Sequence, residues 1–350
     1  MRVLLSGAIN PRFEALPDYI AAALRRLGHE VALFDHRSRI LPGRVRERVR
    51  SLDRLERIAL NRRLAGVARR FKPGLLLVNQ GAEIAPETIS SIRLEIGAFT
   101  VNWWSDYPAQ FEEGLELARC GVYDRFYVSG TDAESRHHAA GARETRWLPF
   151  GCDPAIHRPA ALEPAEKGLY GARLAFVGSA YPERRDLLAP LADLGLAIWG
   201  PGWERFREDA EIGRCIRGGA LRPAEWVRVF SAADLVVNVS YGFGGAPDRY
   251  GSMANVRVFE ALACGACQIV DAKHDISAMF RDGEHLVLYR SAGELRRRAE
   301  SLLGDPERRA RISRQGRREA IERHTWAHRL ERILCELSAS AFLKPAEARA

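Results

Sequence analysis

Apolar runs of strand length alternate with longer helical patterns through most of the 350 residues. That alternation restricts the chain to parallel sheets joined by right-handed crossovers, because a parallel strand needs a helix to return the chain to the same end of the sheet. Apolar runs at 3–5, 31–34, 75–78, 99–103, 125–128 and 145–148 are separated by helical patterns. These patterns end near 27, run through an arginine-rich stretch, begin near 86, span about 110–120 and begin near 132. Together they predict a doubly wound, Rossmann-like domain over residues 1–155.

From Gly151 to Gly171 strand and helix patterns both fail and prolines recur at 154, 159 and 164, which predicts an interdomain linker. A second series follows at 174–178, 196–199, 235–239 and 267–270, with helices near 184–194, 223–232, 255–264, 292–303 and 306–323. It predicts a second Rossmann-like domain over 156–324. A last amphipathic segment, 325–343, has no strand after it and is expected to return toward the N-terminal domain, with a loose tail after Lys344. Two doubly wound sheets in tandem are expected to face one another across a cleft, since each binds ligands at the carboxyl ends of its strands.

A hydrophobic fraction of 47% with 28% charged residues belongs to a globular chain, not a disordered one. The formal charge is +8, with arginine far outnumbering lysine, which favours anionic partners. The densest stretch, Arg37 to Arg70, sets its arginines on a heptad-like frame of Val45, Val49, Leu52, Leu55, Ile58 and Leu64. It reads as an amphipathic helix with a solvated face; peripheral docking on an anionic membrane is the alternative. No nucleic-acid-binding module accompanies it. Six scattered cysteines, with Cys264 and Cys267 the one close pair, fit buried free thiols in a reducing compartment. No apolar run approaches the ~20 residues of a membrane span, and residues 1–9 read as a strand, so the expected location is the cytoplasm.

Candidate chemistry clusters at a few turns. Asn255, Arg257 and Glu260 open a helix directly after a glycine-rich loop over 241–252, and Gly265 ends it before an apolar run. Arg257 and Glu260 are three residues apart and share a helix face, an arrangement that seats anionic groups at the helix start and hydroxyls on the acid. Phe176-Val177-Gly178-Ser179 is a strand ending in a small-residue turn, with Arg184 and Arg185 beyond it. This is a diphosphate seat or, in the blander reading, a tight turn with surface arginines. Trp199-Gly200 and Ile216-Arg217 offer a nucleobase cradle or ordinary core. In the first half, Trp103, Trp104 and Asp106 crowd one turn; Asp106 is a candidate base toward an acceptor hydroxyl, or a helix N-cap. Asn10, Trp104 and Gln80 follow first-domain strands and are acceptor-side candidates, whereas His137 and His138 read as helix-surface residues.

These residues resemble a known group. Phe176-Val177-Gly178-Ser179 with Arg184 and Arg185, the segment Asn255-x-Arg257-x-Phe259-Glu260-Ala261, Asp282-Gly283-Glu284-His285 and Leu302 to Glu307 look like the GT-B glycosyltransferases. With the turn from Trp103 to Pro108, they are similar to the CgeB-like (spore maturation) branch, related to the group 1 glycosyltransferases. The resemblance implies that Glu260 holds the nucleotide ribose and that Arg184 or Arg185 neutralises the diphosphate. It also implies a nucleotide-activated sugar as donor, with UDP, GDP and dTDP all open. Retaining relatives carry a further glutamate eight positions before the ribose-binding one; here Ser252 stands there and Asp248 is the nearest upstream acid.

The expected function is transfer of a sugar from a nucleotide-diphosphate donor to a hydroxyl-bearing acceptor: a protein, a lipid-linked saccharide or a small molecule. Arg257 would polarise the diphosphate. No Asp-x-Asp element is visible to hold a metal ion, so metal independence and no cofactor are expected. A nucleotide-sugar epimerase and a non-catalytic nucleotide- or sugar-binding protein are the alternatives on the same scaffold.

Overall fold

The computed structural model describes residues 1–11, 13–38, 50–106, 119–240 and 251–342. Residues 241–250 of the glycine-rich loop, Asp248 among them, residues 110–118 of the helix expected over about 110–120, Tyr107, Pro108, Val45, Val49 and the tail after Lys344 lie outside the described residues. The chain divides into two compact units, Phe150–Thr325 and the remainder, in which the residues before Phe150 are joined by those from Trp326 onward.

The first unit holds one parallel six-stranded sheet: β1 (Arg2–Gly7), β2 (Glu30–Asp35), β3 (Leu75–Asn79), β4 (Phe99–Trp104), β5 (Arg125–Val128) and β6 (Thr145–Trp147), in the order β2-β1-β3-β4-β5-β6. Its central strands read as near-continuous apolar runs because helices cover both faces. Those described are α1 (Leu16–Arg26), α2 (Arg50–Phe71), α3 (Pro86–Ile96), the short α4 (Glu134–Ala139) and, from the far end of the chain, α12 (Trp326–Phe342). On one face Leu60, Leu64 and Ala68 of α2 and Ile89 and Ile92 of α3 pack with Leu4, Leu76 and Val78.

α12 contributes buried Trp326, Leu330 and Ile333 and packs beside α1. The ring of Trp326 meets Trp103 edge-on at 5.7 Å, and Arg329 donates to the Pro149 carbonyl at 3.0 Å. Glu336 accepts from Arg125 at 2.6 Å and from Tyr127 at 2.7 Å, which pairs a guanidinium only 5% exposed.

Of the heptad frame expected for the basic helix, Leu64 is buried but Leu55 and Ile58 are not. Leu55 and Ile58 are 60% and 40% exposed, and the inward stripe is Glu56, Leu60, Leu64 and Ala68 at four-residue spacing. His137 is also not on the surface: it is buried, donates through Nδ1 to the Ala133 carbonyl at 2.7 Å and stacks on Phe126 at 4.9 Å. His138 is exposed.

The second unit holds another parallel six-stranded sheet: β7 (Ala172–Val177), β8 (Leu196–Trp199), β9 (Ile216–Gly218), β10 (Ala233–Asn238), β11 (Gln268–Asp271) and β12 (Val287–Tyr289), ordered β12-β11-β10-β7-β8-β9. Its described helices are α5 (Pro164–Tyr170), α6 (Pro182–Leu188), α7 (Pro223–Ala232), α8 (Val256–Ala263), α9 (His274–Met279), α10 (Ala292–Leu303) and α11 (Pro306–Arg323). Four of these elements were not anticipated, the short α9 among them. β9 and β12 are three-residue edge strands, and α5 forms inside the expected linker because Pro164 starts it and Glu166 accepts from the Glu163 amide at 3.1 Å.

α8 and α11 cross at Gly316. A Cβ built there would lie 2.1 Å from the His285 carbonyl oxygen and 2.7 Å from Leu262 Cδ2. Backbone cannot retreat cheaply, so Gly316→Ala is expected to destabilise the protein by about 1–3 kcal/mol. Thermal unfolding against Arg318→Ala, on the exposed side of the same helix, measures the difference.

Candidate functional site

In chain order the second sheet runs third, second, first, fourth, fifth, sixth, so its strand order reverses between β7 and β10. In open α/β sheets ligands bind outside the carboxyl ends of strands at such a reversal. There β7 runs out into Gly178 and Ser179, and β10 into Val239 and Ser240. The Gly178 amide donates to the Trp199 carbonyl at 2.9 Å, and its carbonyl accepts from Trp203 Nε1 at 2.7 Å. A Cβ on Gly200, at φ +148°, would lie 1.9 Å from the Gly178 oxygen. One on Gly178 would lie 3.2 Å from Arg257 Nη1. Two bare backbone turns thus lock together and leave the Arg257 guanidinium against the end of β7.

Arg257 is half-buried in the first turn of α8 and has no hydrogen bond or ion pair among the described residues. Burial pushes its pKa down, opposed by the charges of Glu260, Tyr181 and Asp271. Arg184, buried beside it, is held in place: it donates to the Ser179 carbonyl at 2.9 Å and the Val239 carbonyl at 2.8 Å and lies over the Phe176 and Tyr181 rings. Burial and then the Arg257 charge lower its pKa to about 9. Arg185 turns away, with both forks on Asp209 and a 2.6 Å bond to Glu211. The structure therefore brings Arg184 and Arg257 together and leaves Arg185 in a surface ion-pair cluster.

Glu260, one turn further along α8, is buried, and desolvation raises its pKa to about 7 against the pull of Arg257. His157 Nε2 faces it at 3.8 Å. Because the Asp153 amide donates to Nδ1 at 2.9 Å, the neutral ring carries its proton on Nε2, toward the acid. Burial lowers the His157 pKa to about 4, which keeps it neutral.

Asn255, the N-cap residue of α8, reaches back to β10: its Nδ2 donates to Asn238 Oδ1 at 2.9 Å and to Ser240 Oγ at 3.3 Å. Asp271, at the end of β11, accepts from the Ser240 amide at 2.8 Å through one oxygen while the other, buried, has no hydrogen-bond partner among the described residues. Ser252 donates to buried Asp275 at 2.9 Å. Trp199 and Ile216 are core side chains, so what they offer a ligand is backbone, whereas the Arg217 side chain is exposed.

In the first unit, Gln80 sits at φ 64° and is followed by Gly81 at φ 80°. A non-glycine residue in that region costs about 1 kcal/mol or more. Here it turns the Gln80 amide onto Asp106. Asn79 donates to the Trp103 carbonyl and to Ser105, and Asn102 to the Gln80 carbonyl, so the ends of β3 and β4 are tied together. Burial raises the Asp106 pKa, opposed by the Gln80 bond and the Arg37 charge. Trp104 is not at this surface: it is buried and stacked on Phe126. Asn10 is half-buried after β1.

The sequence reading missed Asn238, Asp271 and His157. A signal existed for the first two, as polar residues ending otherwise apolar strands. None existed for His157, whose partner lies 103 residues away across the fold.

Residues 183–335 match a family model described as glycosyl transferase-like. No curated protein matches the chain at the sequence level. Among solved structures, the sucrose-phosphate synthase of Thermosynechococcus elongatus superposes with a TM-score of 0.71 at 16% identity, covering 98% of this chain and 100% of that one. Anabaena HepE in complex with UDP and glucose gives 0.68 at 14% identity, with 97% and 100% covered. A glycosyltransferase from Rickettsia africae gives 0.64 at 11% identity, with 99% of each covered. The segment 183–335 is thus glycosyl transferase-like, and the chain as a whole has the GT-B fold.

Proposed function

We propose that this protein moves a sugar from a nucleotide-diphosphate donor to a hydroxyl-bearing acceptor. The observation that carries the reading is the convergence, at the reversal of the second sheet, of the half-buried Arg257 guanidinium with the Gly178 turn and the buried Glu260 carboxyl. A cation at a helix start suits a diphosphate, and a carboxylate one turn along suits the vicinal hydroxyls of a ribose. The fold shared with a protein solved with UDP and glucose supports the same assignment.

In this scheme the acceptor oxygen bonds to the anomeric carbon as the bond from that carbon to the diphosphate breaks. The diphosphate leaves with the electron pair, and Arg257 stabilises the charge it gains. Arg184 adds its charge beside Arg257, with Nη1 and Nη2 already bonded to the Ser179 and Val239 carbonyls. If the transfer inverts, Asp106 of the first unit, whose raised pKa makes it a stronger base than an exposed carboxylate, is the proposed base for the acceptor proton. Charge neutralisation falls to arginines, so the transfer is proposed to be metal-independent. The acceptor is a hydroxyl of a protein, a lipid-linked saccharide or a small molecule, and the location is proposed to be cytoplasmic. Membership of the CgeB-like branch is proposed on the motifs at 176–185, 255–265, 282–285 and 302–307 together with the turn from Trp103 to Pro108.

Nucleotide binding tests the donor side. Calorimetry with a panel of nucleotide sugars is expected to find one bound tightly by the native protein. Arg257→Ala should weaken that binding by about 1.5–3 kcal/mol, as for loss of a charge-assisted contact, and Arg185→Ala should leave it nearly unchanged. Equal losses for the two variants would reject the assignment.

Glu260 adds a pH signature. Its carboxyl ionises near 7 in the free protein, and the ionised form accepts the ribose hydroxyls. Affinity for the nucleotide sugar should therefore fall as pH drops below 7, by about tenfold per unit, and Glu260→Gln should bind weakly with no such slope. A native profile that is flat from pH 8 to 5.5 removes Glu260 from the donor site. Transfer measured after exhaustive EDTA treatment should be unchanged, and loss restored by added magnesium or manganese would overturn metal independence.

A further inference from the structure

The first unit carries a groove of about 970 Å³ between α2 and α3, lined by residues that the donor and base assignments do not use. Arg54, Ile58, Arg62 and Ala65 of α2 form one wall, and Thr88 and Ser91 of α3 stand on the other. Most charges there are already committed. Arg57 bonds Asp53 at 3.1 Å and lies 3.7 Å from Glu83, Arg69 bonds Glu95 at 2.9 Å, and Arg119 donates to the Ile84 carbonyl at 2.6 Å. Arg54 and Arg62 are exposed and have no hydrogen bond or ion pair among the described residues.

Those two arginines are eight residues apart, roughly 12 Å along the helix at 1.5 Å per residue. Ile58 lies between them in sequence and is 40% exposed, so the groove wall between the two cations is apolar. An occupant therefore needs anionic groups about 12 Å apart and an apolar stretch between. The opposite wall adds acceptors, with the Glu87 carboxylate and the Thr88 and Ser91 hydroxyls facing the same volume.

We propose that the groove binds an extended acidic segment of a protein partner. In an extended chain, side chains four residues apart share a face and stand about 13 Å from each other, close to the spacing of Arg54 and Arg62. Arginine forks match carboxylates, the intervening side chain covers Ile58, and backbone amides of the segment donate to the acceptors of α3. A polyphosphate has no N–H donors for those acceptors. An anionic bilayer is flat and does not enter a groove between two helices.

The test uses the full chain and a fluorescein-labelled peptide of about twelve residues with glutamate at every fourth position and apolar residues between. Fluorescence anisotropy is expected to show saturable binding to the native protein. Arg54→Gln with Arg62→Gln should weaken it by about tenfold or more, and Ala65→Trp, which fills the groove without changing charge, should weaken it similarly. Arg318→Gln with Arg323→Gln, on exposed α11, should leave it unchanged. Thermal melts verify that each variant folds, and Ser91→Trp replaces Ala65→Trp if the latter does not. No binding of the peptide, equal weakening by the control pair, or no effect of filling the groove overturns the proposal. So does sedimentation with phosphatidylglycerol vesicles through Arg54 and Arg62 without peptide binding, which would make this face a membrane surface.

Discussion

Two guanidinium groups pressed into the same end of one sheet are the interaction on which the second unit turns. Arg184 and Arg257 each lose hydration on burial, and the charge of Arg257 further lowers the Arg184 pKa. The fold tolerates this because carbonyls, aromatic faces and two buried carboxyls, Asp271 and Glu260, surround them. Each carboxyl is itself pushed toward its neutral form by burial, so the compensation is partial. A buried excess of positive charge next to an open turn is a standing attraction for an anion.

Much of the frame was legible in the sequence because parallel strands buried on both faces are continuous apolar runs, and such runs are easy to see. The strands at 75–79, 99–104 and 196–199 fell where the runs lay. β9 and β12 were not seen because three residues at a sheet edge carry too short a pattern. α5 was hidden by the prolines at 154, 159 and 164, which look like breakers until the last is recognised as a helix start.

At the site, Arg257 and Glu260 could be paired from their helical spacing, a local property. Whether Arg184 or Arg185 faces the turn could not, since adjacent residues on a helix differ by one side of it and the choice was settled by Asp209, 24 residues on. The basic helix shows the same limit. An apolar heptad suggested one inward face; Leu64 keeps its place on it, but Glu56, Leu60 and Ala68 complete the buried stripe and Leu55 and Ile58 become surface.

α12 joins a sheet whose strands were all completed by residue 147, well before its own first residue at 326. The first unit cannot seal Trp103, or give the Arg125 guanidinium its Glu336 partner, until a helix made after the whole of the second unit has docked on it. The unit whose residues come first is therefore not the unit whose residues are complete first. A chain cut before Trp326 would keep every residue of the second unit and leave the first unit unsealed.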